Sequence, residues 1–146
     1  MKKPLLALLY VLAIGSMAFA QNVKDEEAVK QAVLNYVEGF YEGDTSKLVA
    51  SLHPQLSKYG YYVPRNGNEY KGSEMTYQGA LDYALSVKAK QRFAKEGSPK
   101  EIELFEVLDQ TAVAKLTAWW GIDYLMLAKE NGKWMIMKVI WQSQPQ

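Results

Sequence analysis

The chain of 146 residues contains no cysteine and only one histidine, His53. The first absence removes disulfides, thiol nucleophiles and thiolate metal ligands together, and a single imidazole cannot assemble a histidine zinc site. There is no glycine-rich phosphate loop, no Gly-x-Ser-x-Gly nucleophile turn and no spaced acidic loop of the calcium-binding kind. An excess of charge is missing as well, with 17 lysines and arginines against 16 aspartates and glutamates. That balance speaks against nucleic acid or an anionic membrane surface as a partner, since either would draw a basic patch. No metal and no cofactor are expected.

What is present begins with "MKKPLLALLYVLAIGSMAFA". Two lysines precede an apolar run from Leu5 to Ile14, and Ala18-Phe19-Ala20 supplies the small-x-small pattern that a signal peptidase accepts. The run is shorter than the roughly 20 residues that span a bilayer, and Gly15-Ser16 interrupts it. Residues 1–20 are therefore expected to be a signal peptide cleaved after Ala20, and residues 21–146 a single exported domain, periplasmic or extracellular, with no membrane attachment. A domain of this size buries about two thirds of the surface of its unfolded chain and needs no covalent staple.

Ala28, Val29, Ala32, Val33, Tyr36, Val37, Phe40 and Tyr41 recur at three- and four-residue steps, which predicts an amphipathic helix with Asp25, Glu26 and Glu27 in its first turn. Gly39 lies inside this helix, where glycine costs about 1 kcal/mol relative to alanine, so a close approach to the backbone is expected there. Gly43 ends the helix, and Asp44 or Thr45 caps a short second one that stops at His53, because Pro54 pushes its neighbour out of the α conformation. A tyrosine-rich strand over Ser57 to Val63, an Asn66-Gly67 turn and a return from Glu69 to Lys71 follow. A third helix is predicted from Ser73 to Phe93, closed by Gly97-Ser98-Pro99.

From Glu101 the period changes to two. "EIELFEVL", "AVAKLTAWW", "IDYLMLA" and "KWMIMKVIW" read as four antiparallel strands, the last two joined by an Asn131-Gly132 hairpin. Helices first and a meander afterwards imply an α+β domain, with three N-terminal helices packed on one face of a strongly curved, mostly antiparallel sheet. Sheet curvature around the helices would leave a cone with a cavity at its open end.

This order of elements resembles the nuclear transport factor 2-like, SnoaL-like cone fold over residues 22 to 142. The stretch "YVEGFYEGDTSKLVASLHPQLSKYG" is similar to the exported bacterial subgroup described as Putative lumazine-binding, through Gly39, Tyr41, Gly43, Asp44, Leu52, His53, Pro54, Leu56 and Lys58. Relatives in that superfamily include ketosteroid isomerases, scytalone dehydratase and polyketide cyclases, which transfer protons inside the cone. The resemblance implies a base on the first strand, where this chain has Tyr59-Gly60 and no carboxylate, a departure that weighs against isomerase chemistry. It also implies an oxyanion-side acid near Asp123, which starts an otherwise apolar strand; either Asp123 or Tyr124 faces inward.

His53 and Asp123 are the catalytic candidates. His53 has two readings: a base with an ordinary pKa near 6.5 at the cone mouth, or a ring bonded to a free carbonyl at the end of the second helix. Tyr36, Phe40, His53, Tyr59, Trp119, Asp123 and Trp141 are the candidate ligand-binding residues, since stacked aromatic rings with a few polar atoms make up most small-molecule sites. Strand alternation would send Trp119 and Trp120 to opposite faces, leaving one outward or at an interface. Superfamily members pair through the open sheet face, which implies a homodimer. Three functions stay open: binding of a small planar or apolar ligand without catalysis, which is the leading reading; a cofactor-free lyase, cyclase or isomerase; and a dimeric accessory or scaffold domain.

Overall fold

Hydrophobic spacing at the N-terminus translates directly into a buried stripe. The computed structural model describes residues 4–144, with side chains from Asn22 onward, so the side chains of the expected leader, residues 1–20, lie outside the described residues. Helix α1 (Pro4–Glu42) buries Val29, Val33, Tyr36, Val37 and Phe40 at steps of three and four residues. Gly43 ends it with φ of +64°, the left-handed conformation that glycine adopts without steric cost. Asp44 then caps α2 (Thr45–Ser51), its carboxylate Oδ1 accepting from the backbone N–H of Ser46 at 2.8 Å. Gly39 faces this helix: a Cβ there would lie 2.6 Å from Leu48 Cδ2, which is the close approach its position implied.

The chain leaves α2 in an extended conformation at Leu52 and continues straight into β1 (Leu52–Tyr62). His53 thus belongs to the start of the strand. The return strand β2 (Lys71–Thr76) is longer than expected, and α3 (Tyr77–Ala89) begins four residues later than Ser73 and stops before Phe93. Ladder pairs from Ser57↔Thr76 to Tyr62↔Lys71 hold Ser73 to Thr76 in the sheet. Thr76 Oγ1 accepts from Gly79 N–H at 3.1 Å and so fixes the helix start, and Gln91 at φ +51° breaks its continuation.

Strands β3 (Lys100–Val107), β4 (Thr111–Ala118), β5 (Gly121–Glu130) and β6 (Lys133–Ser143) complete one six-stranded sheet of order β2-β1-β6-β5-β4-β3. Only β1 and β6 are parallel; every other pair is antiparallel. The β5–β6 connection has Asn131 and Gly132 at φ of +52° and +76°, as a two-residue primed turn requires. Register shifts in the β1–β6, β3–β4 and β5–β6 ladders mark bulges, which bend strands and increase their twist. The result is an α+β fold with three helices against the inner sheet face, where Leu116, Leu125, Ile136 and Val139 meet the stripe of α1. The outer face is apolar in part. Tyr59, Ile140 and Tyr124 pair in register across β1, β6 and β5, and all three are exposed, as are Met126 and Phe105 on the same sheet.

Candidate functional site

Alternation along β1 puts Leu56, Lys58 and Gly60 on the inner face and Tyr59 and Tyr61 outside. A lysine is thereby carried into the core, where an unpaired ammonium would be severely penalised. Its partner comes from β5, two strands away: Asp123 is fully buried while Tyr124 points outward, which decides the inward position in favour of the acid. Lys58 Nζ donates to Asp123 Oδ2 at 3.0 Å and to the hydroxyl oxygen of Tyr36 at 2.7 Å. Tyr36 in turn donates its O–H to Asp123 Oδ2 at 2.5 Å, and Trp120 Nε1–H donates to the other carboxylate oxygen at 2.7 Å. Both oxygens of Asp123 are therefore occupied, by three donors. The Lys58 ammonium also stands 5.2 Å from the ring centre of Trp141, 5.4 Å from that of Tyr36 and 5.9 Å from that of Trp120, within cation–π range of each.

Burial pushes the Lys58 ammonium below the ordinary lysine range, and the charge and hydrogen bond of Asp123 oppose that shift. The phenol of Tyr36 is raised well above its ordinary value, first by burial and then by the adjacent Asp123 charge and its hydrogen bond. Tyr36 therefore stays protonated and keeps donating to the carboxylate.

This cluster lies beside a cavity of about 350 Å³ between α1, α3, β1, β6 and the β4–β5 turn. Six aromatic side chains line it: Phe40, Tyr62, Tyr83, Trp119, Trp120 and Trp141. Phe40 makes edge-to-face contacts with Tyr36, Tyr83 and Trp120 at centroid distances of 5.1, 5.7 and 5.8 Å. The polar lining consists of Lys58, Ser73 and Arg92. Tyr41 secures the turn that carries two of the tryptophans, accepting from the Trp119 N–H at 2.9 Å and donating to the Pro99 carbonyl at 2.5 Å.

The seven residues singled out from the sequence separate into three groups. Phe40, Trp119 and Trp141 line the cavity; Tyr36 and Asp123 are bonded to Lys58 and lie outside the lining. Tyr59 points out of the sheet, and His53 is not at the cavity either. The His53 ring accepts the Gln55 N–H on Nδ1 at 3.1 Å, so the neutral tautomer carries its proton on Nε2, 3.2 Å from Glu130 Oε2. Its ring thus serves a backbone N–H and a carboxylate instead of a helix-end carbonyl, and it is not brought together with Asp123. The expected division of Trp119 and Trp120 between two faces holds only in part: Trp119 is half exposed, as expected of one of them, yet both line the cavity. Both occupy the two-residue turn between β4 and β5, where strand alternation does not operate, and both rings reach the cavity, 5.9 Å apart. Lys58, Tyr62, Tyr83, Arg92 and Trp120 were not among the candidates. For Lys58 the signal was present, as a charge sharing the period-two face of Leu56 and Gly60.

Residues 24–142 match the model of a family described as Putative lumazine-binding. Among solved structures, the chain is similar to an NTF2-like protein of unknown function from Shewanella baltica, with 18% identity and a TM-score of 0.62 over 85% of this chain and 97% of that one. A second, from Silicibacter pomeroyi, shows 14% identity and a TM-score of 0.62 over 86% and 98% of the two chains. A third, from Methylobacillus flagellatus, shows 17% identity and a TM-score of 0.62 over 84% and 94%. At these identities the likeness is one of fold. A search of curated proteins gives no significant match.

Proposed function

The chain belongs to the Putative lumazine-binding family of nuclear transport factor 2-like proteins, and on that premise we propose that it binds a small, flat or apolar molecule in its cavity without transforming it. The observation that carries this reading is the set of six aromatic side chains around a single space of about 350 Å³, within the size range of small-molecule pockets. Flat rings gain dispersion and quadrupole contacts against such walls and lose little conformational entropy on entering.

Acid–base catalysis through His53 and Asp123 is disfavoured by the same geometry. A general base must come within hydrogen-bond reach of the proton it removes. His53 lies away from the cavity, and both oxygens of Asp123 already accept protein donors. Tryptophan fluorescence tests the binding reading, because Trp119, Trp120 and Trp141 line the cavity whereas Trp134 is buried elsewhere, bonded to Asp25. Titration with flat aromatic probes, including the pteridinedione lumazine that the family description names, is expected to quench most of the emission saturably and leave the Trp134 contribution. Absence of quenching and of any thermal shift across such a panel overturns the reading.

A second reading concerns the outer sheet face. The exposed row Tyr59, Ile140 and Tyr124, with Met126 and Phe105 on the same sheet, is the kind of apolar surface that marks an interface, and a second copy of this chain is the proposed occupant. Light scattering is expected to give twice the chain mass for the wild type and the single mass for Ile140→Glu. A wild type that remains monomeric at high concentration rules this out.

A further inference from the structure

Two cations and no carboxylate line the cavity. Their situations differ. Lys58 is compensated by Asp123, and an ammonium has three protons, of which Asp123 and Tyr36 accept two. The rings nearest the ammonium include those of Trp120 and Trp141, which are themselves cavity walls. An acceptor lying among those walls is the natural partner of the third proton. Arg92 has no carboxylate partner among the described residues; its guanidinium donates to Ser86 Oγ at 3.1 Å and keeps other N–H groups in reserve. Arg92 is exposed while lining the cavity, so it stands at the entrance. With Lys58 and Asp123 cancelling, Arg92 leaves one uncompensated positive charge at the mouth of a cavity whose other walls are mostly aromatic and aliphatic.

We propose that the cavity selects flat aromatic molecules bearing one anionic oxygen group, a carboxylate or an ionised ring oxygen, with the oxygen accepting from Lys58 and the Arg92 charge balancing it. The inference rests on the binding reading above and narrows it to a ligand class. Charge-assisted hydrogen bonds in a site of low dielectric are the stronger kind, and a planar guanidinium suits a carboxylate. A cationic aromatic would meet the like charge of Arg92 and a donor instead of an acceptor at Lys58, and a neutral one would leave the Arg92 charge uncompensated.

Calorimetric titration of the full chain with 2-naphthoate, its neutral isostere 2-naphthamide and 2-naphthylmethylammonium tests this. Naphthoate is expected to bind about tenfold or more tighter than the amide, and the ammonium weakest of the three. Arg92→Gln should reduce the naphthoate preference while leaving the amide affinity within about twofold. The pair Lys58→Met/Asp123→Leu, which introduces no unpaired charge, should reduce that preference in the same way. Equal binding of naphthoate and amide by the wild type overturns the ligand class and leaves the binding reading intact. A naphthoate preference that survives both variants also overturns it, by placing recognition elsewhere. Failure of all three probes to bind removes the cavity reading and this inference together.

Discussion

Replacing Lys58 by methionine is expected to lower the free energy of unfolding by about 3–5 kcal/mol, and adding Asp123→Leu to recover a large part of that loss. The single substitution leaves a fully buried carboxylate with only the neutral donors of Tyr36 and Trp120. Asp123→Leu alone strands the ammonium of Lys58, whose side chain is 6% exposed. The double variant contains neither charge. Its remaining deficit of about 1–3 kcal/mol comes from the fully buried Tyr36 hydroxyl, which would then face an apolar side chain, whereas the Trp120 N–H belongs to a half-buried ring on the cavity wall, where water can replace the lost acceptor. Urea unfolding of the wild type, both single variants and the double variant closes the cycle. A strongly non-additive result is expected; losses that simply add would show that the two groups do not act as a pair.

The elements that could be read from the sequence are those whose causes are local. The stripe of α1, the stop at Gly43, the Asp44 cap and the Asn131-Gly132 turn each depend on residues within one or two helical turns or one hairpin. Ser73 to Thr76 resisted reading because nothing in "SEMT" alternates; its strand character comes from pairing with β1, and only the Thr76 cap is local. The site divides along the same line. Asp123 was identifiable as an acid opening an apolar strand, yet its counterion lies 65 positions away and meets it only through the register of β1, β6 and β5. Lys58 had been noticed as a motif position, but reading it as a buried charge required trusting alternation over the usual exposure of lysine. His53 drew attention for its chemistry, and half of its environment is indeed local, the Gln55 N–H two residues on; the other half, Glu130, arrives from the far end of β5. Trp119 and Trp120 were read only in part for the converse reason: one of them is exposed as expected, but a local turn replaced the strand assumed to continue through them, and both rings reach the cavity.

Gly60→Ala is expected to destabilise the fold by about 1–3 kcal/mol or more and to weaken ligand binding at once, although it adds a single methyl group. A Cβ at this position would overlap the indole Cδ1 and Nε1 of Trp141 and the Trp141 carbonyl oxygen on the paired strand β6. The missing side chain is therefore what lets the Trp141 ring lie over β1, beside the Lys58 ammonium and along the cavity wall. To accept the methyl group the indole must swing away, and the Trp141 backbone, which pairs with Gly60 on one side and Asp123 on the other, must yield as well. Gly67→Ala is the control, since the nearest atoms to a Cβ there lie at 3.5 Å, in ordinary contact. Thermal unfolding should separate the two variants clearly, and a Gly60→Ala protein as stable as Gly67→Ala would refute the account. Repeating Gly60→Ala in a Trp141→Ala background apportions the effect. A smaller loss there identifies the ring as the principal obstacle, whereas an unchanged loss assigns it to the carbonyl, and in that case Gly60 serves the β1–β6 pairing before it serves the cavity.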